Sequence, residues 1–501
     1  MNLNIDKIKT LGKLKESDYR FRSIKDEMRE NLIKQLKSGN QIFNGIIGYE
    51  ETVIPDIQSA ILSRHNIILL GLRGQAKTKI ARLMVTLLDD YLPAIAGSEL
   101  NDNPLKPISR FGKDRIEQMG DETPIEWITN EERYTEKLAT PDVTIADLIG
   151  DVDPIKAASL KLPYSDERVI HFGLIPRSHR GIFVINELPD LQARIQVALF
   201  NILQEKDVQI RGFRIRLPLD VQFVFTANPE DYTNRGSIVT PLKDRIDSQI
   251  LTHYAKTIDE SRQITDLEAN FTKDQIDTIN SPKLVKDLVE TIAFEARKSE
   301  YVDSKSGVSA RLTISAIENL VSTAERRMLV NGEENTTVRI SDFIGVIPSV
   351  TGKVELVYEG EQEGTATVAQ ILIGKAIKQQ FEDYFPSPDK IKKTQEKNPY
   401  AEIIHWFSHN NLDLLNNISD EKYRKTLCGV TNLGTVVKNI HPNLPEHEMY
   451  LMMEFLLHGL AEYSLISKQH VEFGLQFKDM ISTMFTNQAD DDELNDEDYT
   501  Y

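Results

Sequence analysis

Residues 67–78, Ile-Ile-Leu-Leu-Gly-Leu-Arg-Gly-Gln-Ala-Lys-Thr, hold the residue types that clamp a nucleoside triphosphate. Lys77 can meet the β and γ phosphate oxygens, and the Thr78 hydroxyl can serve Mg²⁺. Gly71, Gly74, Gln75 and Ala76 supply the loop whose backbone N–H groups a phosphate needs. Ala76 stands where glycine is usual, and alanine tolerates fewer backbone angles. Further chemical groups follow along the chain. Glu187, beside Asn186, is a carboxylate placed to polarise an attacking water. Asn228 could hold that water or the γ-phosphate. Arg245 and Arg311 are cations that could offset charge developing on the phosphates, Arg245 from an adjacent subunit. His171 and His179 flank a loop, but their spacing matches no zinc pattern.

These groups need rigid elements beneath them. The apolar run into Gly71, then Ile80, Leu83, Met84, Leu87 and Leu88 at helical spacing, predicts strand, phosphate-sized loop and helix. Ile182 to Ile185 is apolar throughout, as in a central parallel strand, and Asn186 and Glu187 stand at its carboxyl end, the edge where open α/β sheets bind ligands. A helix follows with Leu191, Ile195, Leu199, Ile202 and Leu203 on one face. Residues 222–228 form another buried strand ending at Asn228. A hairpin is expected over Val208–Leu217, with Arg214 and Arg216 on one face, and a last strand over Ser248–Leu251. A helix over 51–64 leads into the phosphate loop. Residues 91–135 read as irregular connections, followed by a strand near Leu138–Thr140. Residues 141–180 read as a second long connection.

The expected fold class is α/β: a P-loop core with a parallel sheet between helices, then a helical lid and a C-terminal helical region. The boundaries are an N-terminal helical segment 1–40, the core 41–255, the lid 256–345 and a mixed extension 346–385 with a short strand at Val354–Tyr358. A Pro/Lys-rich linker 386–399, a helical region 400–488 and an acidic tail 489–501 complete the chain. The tail is too poor in apolar groups to fold.

Composition narrows the class of function. The net charge of −18 disfavours a general nucleic-acid surface, which relies on Lys and Arg to replace counterions. Cys428 is the single cysteine, so no internal disulfide can form. No apolar run approaches the ~20 residues of a membrane span, and the opening residues lack a signal-peptide core. The expected location is the cytoplasm, with no membrane insertion.

Five stretches in order resemble the AAA+ ATPases over residues ~41–345, in the form of the MoxR and magnesium-chelatase branch. They are Gly71–Thr78 (Walker A), Ile182–Glu187 (Walker B), Thr226–Glu230 (sensor one), Pro241–Arg245 (arginine finger) and Gly307–Arg311 (sensor two). The connection before Ile182 resembles that branch's helix-two insert, and Val208–Leu217 its hairpin before sensor one. The resemblance implies ATP and Mg²⁺ as cofactors, with Thr78 and the residue at 186 on the metal side. It also implies a homo-oligomeric ring, usually a hexamer, with ATP at subunit interfaces and a protein partner carrying a von Willebrand factor A domain. Asn186 departs from the family's aspartate: it keeps an acceptor oxygen and loses the charge. The resulting expectation is an ATP hydrolase that remodels or matures a protein partner. The alternatives are the ATPase subunit of a metal (magnesium) chelatase and a nucleotide-binding switch with very slow hydrolysis. A transcriptional activator of the same superfamily is set aside, because neither a Gly-Ala-Phe-Thr-Gly-Ala loop nor a DNA-binding segment stands in the sequence.

Overall fold

The apolar runs of the first half become a five-stranded parallel sheet in the computed structural model, which describes residues 5–163, 166–210, 216–228, 237–394, 398–471 and 474–480. Its strands are β1 (Ile67–Leu70), β2 (Tyr134–Leu138), β3 (Gly181–Asn186), β4 (Val221–Ala227) and β5 (Ser248–Leu251), in the spatial order β5-β1-β4-β3-β2. Register pairs Ile67 with Val224, Phe225 with Ile185, and Leu138 with Asn186. Every residue of β1, β3 and β4 is buried, because both faces of the sheet are covered. Alternate side chains enter two cores: Ile67, Leu69, Ile182 and Val184 join one, and Ile68, Leu70, Phe183 and Ile185 the other. This is the α/β arrangement expected from the sequence, a parallel sheet between helices.

The chain divides into two units, 1–253 and 254–501. In the first, helix α1 (Ile24–Ser38) starts at a Ser23 cap and ends at Gly39 in the left-handed region (φ 68). It buries Ile24, Met28 and Leu32, spaced four apart, beside α2 (Val53–Leu62). The N-terminal segment is therefore part of this core. Helix α3 (Lys77–Leu83) follows the phosphate loop, and α4 (Ala193–Glu205) follows β3.

Residues 91–135 are more ordered than their sequence suggests. Strands Tyr91–Ile95 and Ile125–Thr129 pair antiparallel, and a helix spans Arg110–Met119. The strand expected near Leu138–Thr140 lies earlier, at Tyr134–Leu138. The 141–180 connection carries short helices around an antiparallel pair, Gly150–Val152 with Ile170–Phe172. In the hairpin, Asp207–Gln209 pairs with Arg216–Pro218. Its turn, including Arg214, lies outside the described residues, as do Pro229, Glu230, Arg235 and the acidic tail.

The second unit packs α5 (Lys283–Lys298), α6 (Arg311–Asn331), α7 (Thr365–Tyr384) and α8 (Glu446–Glu462) around one apolar core that runs in sequence from Ile279 to Phe477. Residues 386–399 are not an extended spacer: a helix spans Pro388–Thr394, and Ile391 and the adjoining Tyr400 are buried in that core. The strand expected at Val354–Tyr358 is an isolated bridge from Leu356 to Val302, followed by a helix from Tyr358. Residues 400–488, expected to be helical, also contain a three-stranded antiparallel sheet of Leu412–Leu415, Gly474–Lys478 and Ser467–Val471. Among the described residues no helix is long and apolar enough to cross a membrane.

Candidate functional site

Parallel strands bring their carboxyl ends to one edge, so the groups that follow β1, β3 and β4 share that edge. The Gly71 N–H donates to the Ala227 carbonyl (3.2 Å), tying the start of the phosphate loop to the end of β4. A Cβ on Gly71 would collide with Thr252 Oγ1 and Gln75 Oε1, so a larger residue would have to displace both side chains. The Gln75 side chain accepts from Thr252 Oγ1 (2.7 Å), and its carbonyl accepts from the buried Tyr49 hydroxyl (3.1 Å). Tyr49 and Thr252 thus brace the loop from outside it. Neither stood out in the sequence, where Tyr49 sits in a turn and Thr252 just past the last strand.

Inside the loop, Gly74 takes φ 71 and Ala76 takes φ 56, ψ 14. The left-handed region costs a residue bearing a Cβ about 1–2 kcal/mol. Glycine returns part of that as extra freedom in the unfolded chain. Ala76→Gly is therefore expected to raise stability by about 1 kcal/mol, read as a higher midpoint in denaturant unfolding with an unchanged slope.

Lys77 is buried, and its ammonium donates to the carbonyls of Gly71 and Leu72 (2.9 Å to the latter). A cation thus spans the loop where anionic oxygens would enter. Helix α3 begins at Lys77, and Ala76 supplies no side-chain cap. Half-buried Thr78 follows on the first turn. These features fit a polyphosphate.

Asn186 ends β3, buried, and both ends of its carboxamide are engaged. Nδ2 donates to Glu136 Oε1 (2.7 Å), and Oδ1 accepts from Thr226 Oγ1 (3.0 Å). The Thr226 hydroxyl in turn accepts the Glu187 N–H (3.1 Å). Glu187 itself is half-buried at φ 53, ψ 51, a left-handed conformation rare outside glycine and concentrated at working sites. Asn228 is buried immediately after β4. Glu187 and Asn228 therefore stand on neighbouring strand ends, both on the same side of the loop.

Two further residues were not legible as site residues. Glu136, on edge strand β2, accepts two hydrogen bonds from Arg82 of α3 (2.9 and 3.2 Å) and one from the Tyr134 hydroxyl (3.0 Å), besides that from Asn186. The hydrogen bonds to Glu136 raise the Arg82 guanidinium above its ordinary value.

Arg245 follows the short helix Thr240–Lys243 and is half-buried. It donates to Gln204 Oε1 (3.1 Å) and the Pro241 carbonyl (2.7 Å), and its guanidinium lies over the Phe200 ring (5.1 Å). Here it is folded onto its own subunit. Arg311 belongs to the second unit, exposed at the first residue of α6, its N–H donating to Ser309 Oγ (2.9 Å). His179 is buried, its Nδ1 accepts the Asp220 N–H (3.0 Å), and burial pushes its pKa down to about 3. It is a neutral structural residue.

A family model described as the Sigma-54 interaction domain matches residues 164–249, which include β3, Asn228 and Arg245 but not the phosphate loop. Among solved structures, the complex of magnesium chelatase subunits BchI and BchD is similar at 17% identity, covering 64% of this chain and 98% of that one, with a TM-score of 0.32. NtrX from Brucella abortus in complex with ATP is similar at 12% identity over 58% of this chain and 52% of that one (TM-score 0.33). Closed-state Hsp104 with ATPγS and casein is similar at 13% identity over 69% and 54% (TM-score 0.36). At such scores the fold assignment rests on strand order and on the motifs at the sheet edge.

Proposed function

We propose that this chain is a Mg²⁺-dependent AAA+ ATPase of the MoxR and magnesium-chelatase type, working in the cytoplasm as a homo-oligomeric ring. It couples ATP hydrolysis to remodelling or maturing a protein partner, one that carries a von Willebrand factor A domain. The observation that supports this most is the convergence at one sheet edge: a lysine-spanned phosphate loop, a carboxylate in a left-handed backbone, and a buried asparagine one strand away.

Each residue then has a role. Lys77 and the loop N–H groups hold the β and γ phosphates. Glu187 takes a proton from the attacking water, and Asn228 orients that water. Thr78 and Asn186 would hold Mg²⁺, which would supply neutralising charge to the phosphates. Arg245 serves the active site of the next subunit, for which it must leave Gln204 and Phe200. Arg311 responds to the nucleotide from the lid.

A second reading, a slow nucleotide switch, is favoured by the uncharged Asn186. Calorimetry separates both readings from an incidental loop. Wild-type protein should bind ATP, and Lys77→Ala should weaken binding by about 10- to 100-fold, the worth of a charged hydrogen bond. Wild-type protein that binds no nucleotide would end the proposal. Among ATP-binding outcomes, phosphate release distinguishes motor from switch.

A further inference from the structure

Asn186 lacks the negative charge that the metal side of an ATPase site uses, but that charge has not left the region. The Glu136 carboxylate lies 2.7 Å from Asn186 Nδ2, on the adjacent strand. The orientation of the carboxamide is dictated by chemistry. Carboxylate oxygens only accept, so the amide nitrogen must face Glu136. The Thr226 hydroxyl already accepts the Glu187 N–H, so its proton is free for Asn186 Oδ1.

Glu136 is also tied to the phosphate-loop helix. Arg82 grips it from α3, and Thr78 stands four residues earlier on the same helix, hence on the same face. Glu136 is therefore tied both to Asn186 and to the helix face that carries Thr78. The Arg82 side chain is 64% exposed, against 23% for Glu136. Water therefore has access to the Arg82 guanidinium and can replace it at the carboxylate.

On the ATPase reading above, we infer that Glu136 supplies the metal-side carboxylate of this site, with Asn186 as the hydrogen-bonding residue that positions it. The charge has moved by one strand. The two positions would hold one carboxylate and one amide, not two carboxylates. A carboxylate at both would set like charges in contact. Asn186→Asp alone is thus not a simple restoration, whereas the exchange Glu136→Gln with Asn186→Asp keeps one charge, and its hydrogen bond with the direction reversed.

The test is the factor by which Mg²⁺ tightens ATP binding, from calorimetry with Mg²⁺ and with EDTA. The full-length chain is compared in four forms: wild type, Glu136→Gln, Asn186→Asp and the double exchange. Removing a group that orients a metal site costs about 10- to 100-fold in metal affinity, so Glu136→Gln should lose at least about tenfold of the Mg²⁺ effect. The double exchange should regain most of it. A Glu136→Gln protein with the wild-type Mg²⁺ factor overturns the inference while leaving the ATPase reading intact. If Glu136→Gln does not fold, Glu136→Ala takes its place: a loss of at least about tenfold in the Mg²⁺ factor supports the inference, and a wild-type factor overturns it. Wild-type protein that binds no ATP defeats the ATPase reading itself.

Discussion

Glu187→Gln should lower ATP turnover by about 100- to 10,000-fold, the usual worth of a positioned general base, while ATP affinity stays within a few-fold of wild type. Glutamine keeps the shape of the side chain and removes its basicity. The backbone should hold its left-handed conformation, because the Glu187 N–H stays bound to Thr226 Oγ1 and the Asp190 N–H to the Glu187 carbonyl. Phosphate release and calorimetry on the same preparation separate the two effects. A variant with wild-type turnover would remove Glu187 from the role of base. The same protein held in ATP is the natural bait for the partner, since a blocked ring should retain what a cycling one releases.

What the sequence makes legible is what burial on two sides enforces. β1, β3 and β4 are continuous apolar runs because helices cover both faces of the sheet, and the polar residues after them mark its working edge. Edge elements are harder to read. β2 is Tyr-Thr-Glu-Lys-Leu, only partly buried, with no periodicity to separate it from a loop. Glu136 was invisible for that reason: its importance comes from Asn186 and Arg82, 50 and 54 positions away in sequence. Residues 91–135 hid a strand pair behind Pro93 and exposed Tyr91. Residues 386–399 read as a linker because Pro and Lys dominate, yet Ile391 and neighbouring Tyr400 point into the core. Arg245 shows the converse. It stands between Asp244 and Asp247 in sequence, yet the structure gives it Gln204, a carbonyl and an aromatic ring.

The N-terminal segment carries the largest stability effect. Glu27 on α1 is 3% exposed, and Arg133, just before β2, is 2% exposed. They form two hydrogen bonds, 2.8 Å from Arg133 Nη1 and 2.6 Å from Nη2. Glu27 also accepts the Asp89 N–H (2.7 Å), and Arg133 Nε donates to the Arg180 carbonyl (2.9 Å). The pair therefore joins α1, the chain before the Tyr91–Ile95 strand, and the approaches to β2 and β3. Removing one partner leaves the other charge buried and unanswered, which costs about 3–5 kcal/mol. Glu27→Leu should accordingly lower the melting temperature of the full chain by roughly 10 °C, at the few degrees per kcal/mol expected for a unit of this size. Pairing Glu27→Leu with Arg133→Met should regain most of that loss, because the double change removes both charges of the pair. Scanning calorimetry of the three proteins checks both steps. If Glu27→Leu melts within about 1 °C of wild type, the pair does not anchor α1. If the double variant melts no higher than the single, then the Asp89 and Arg180 backbone contacts, not the buried charge, set the cost.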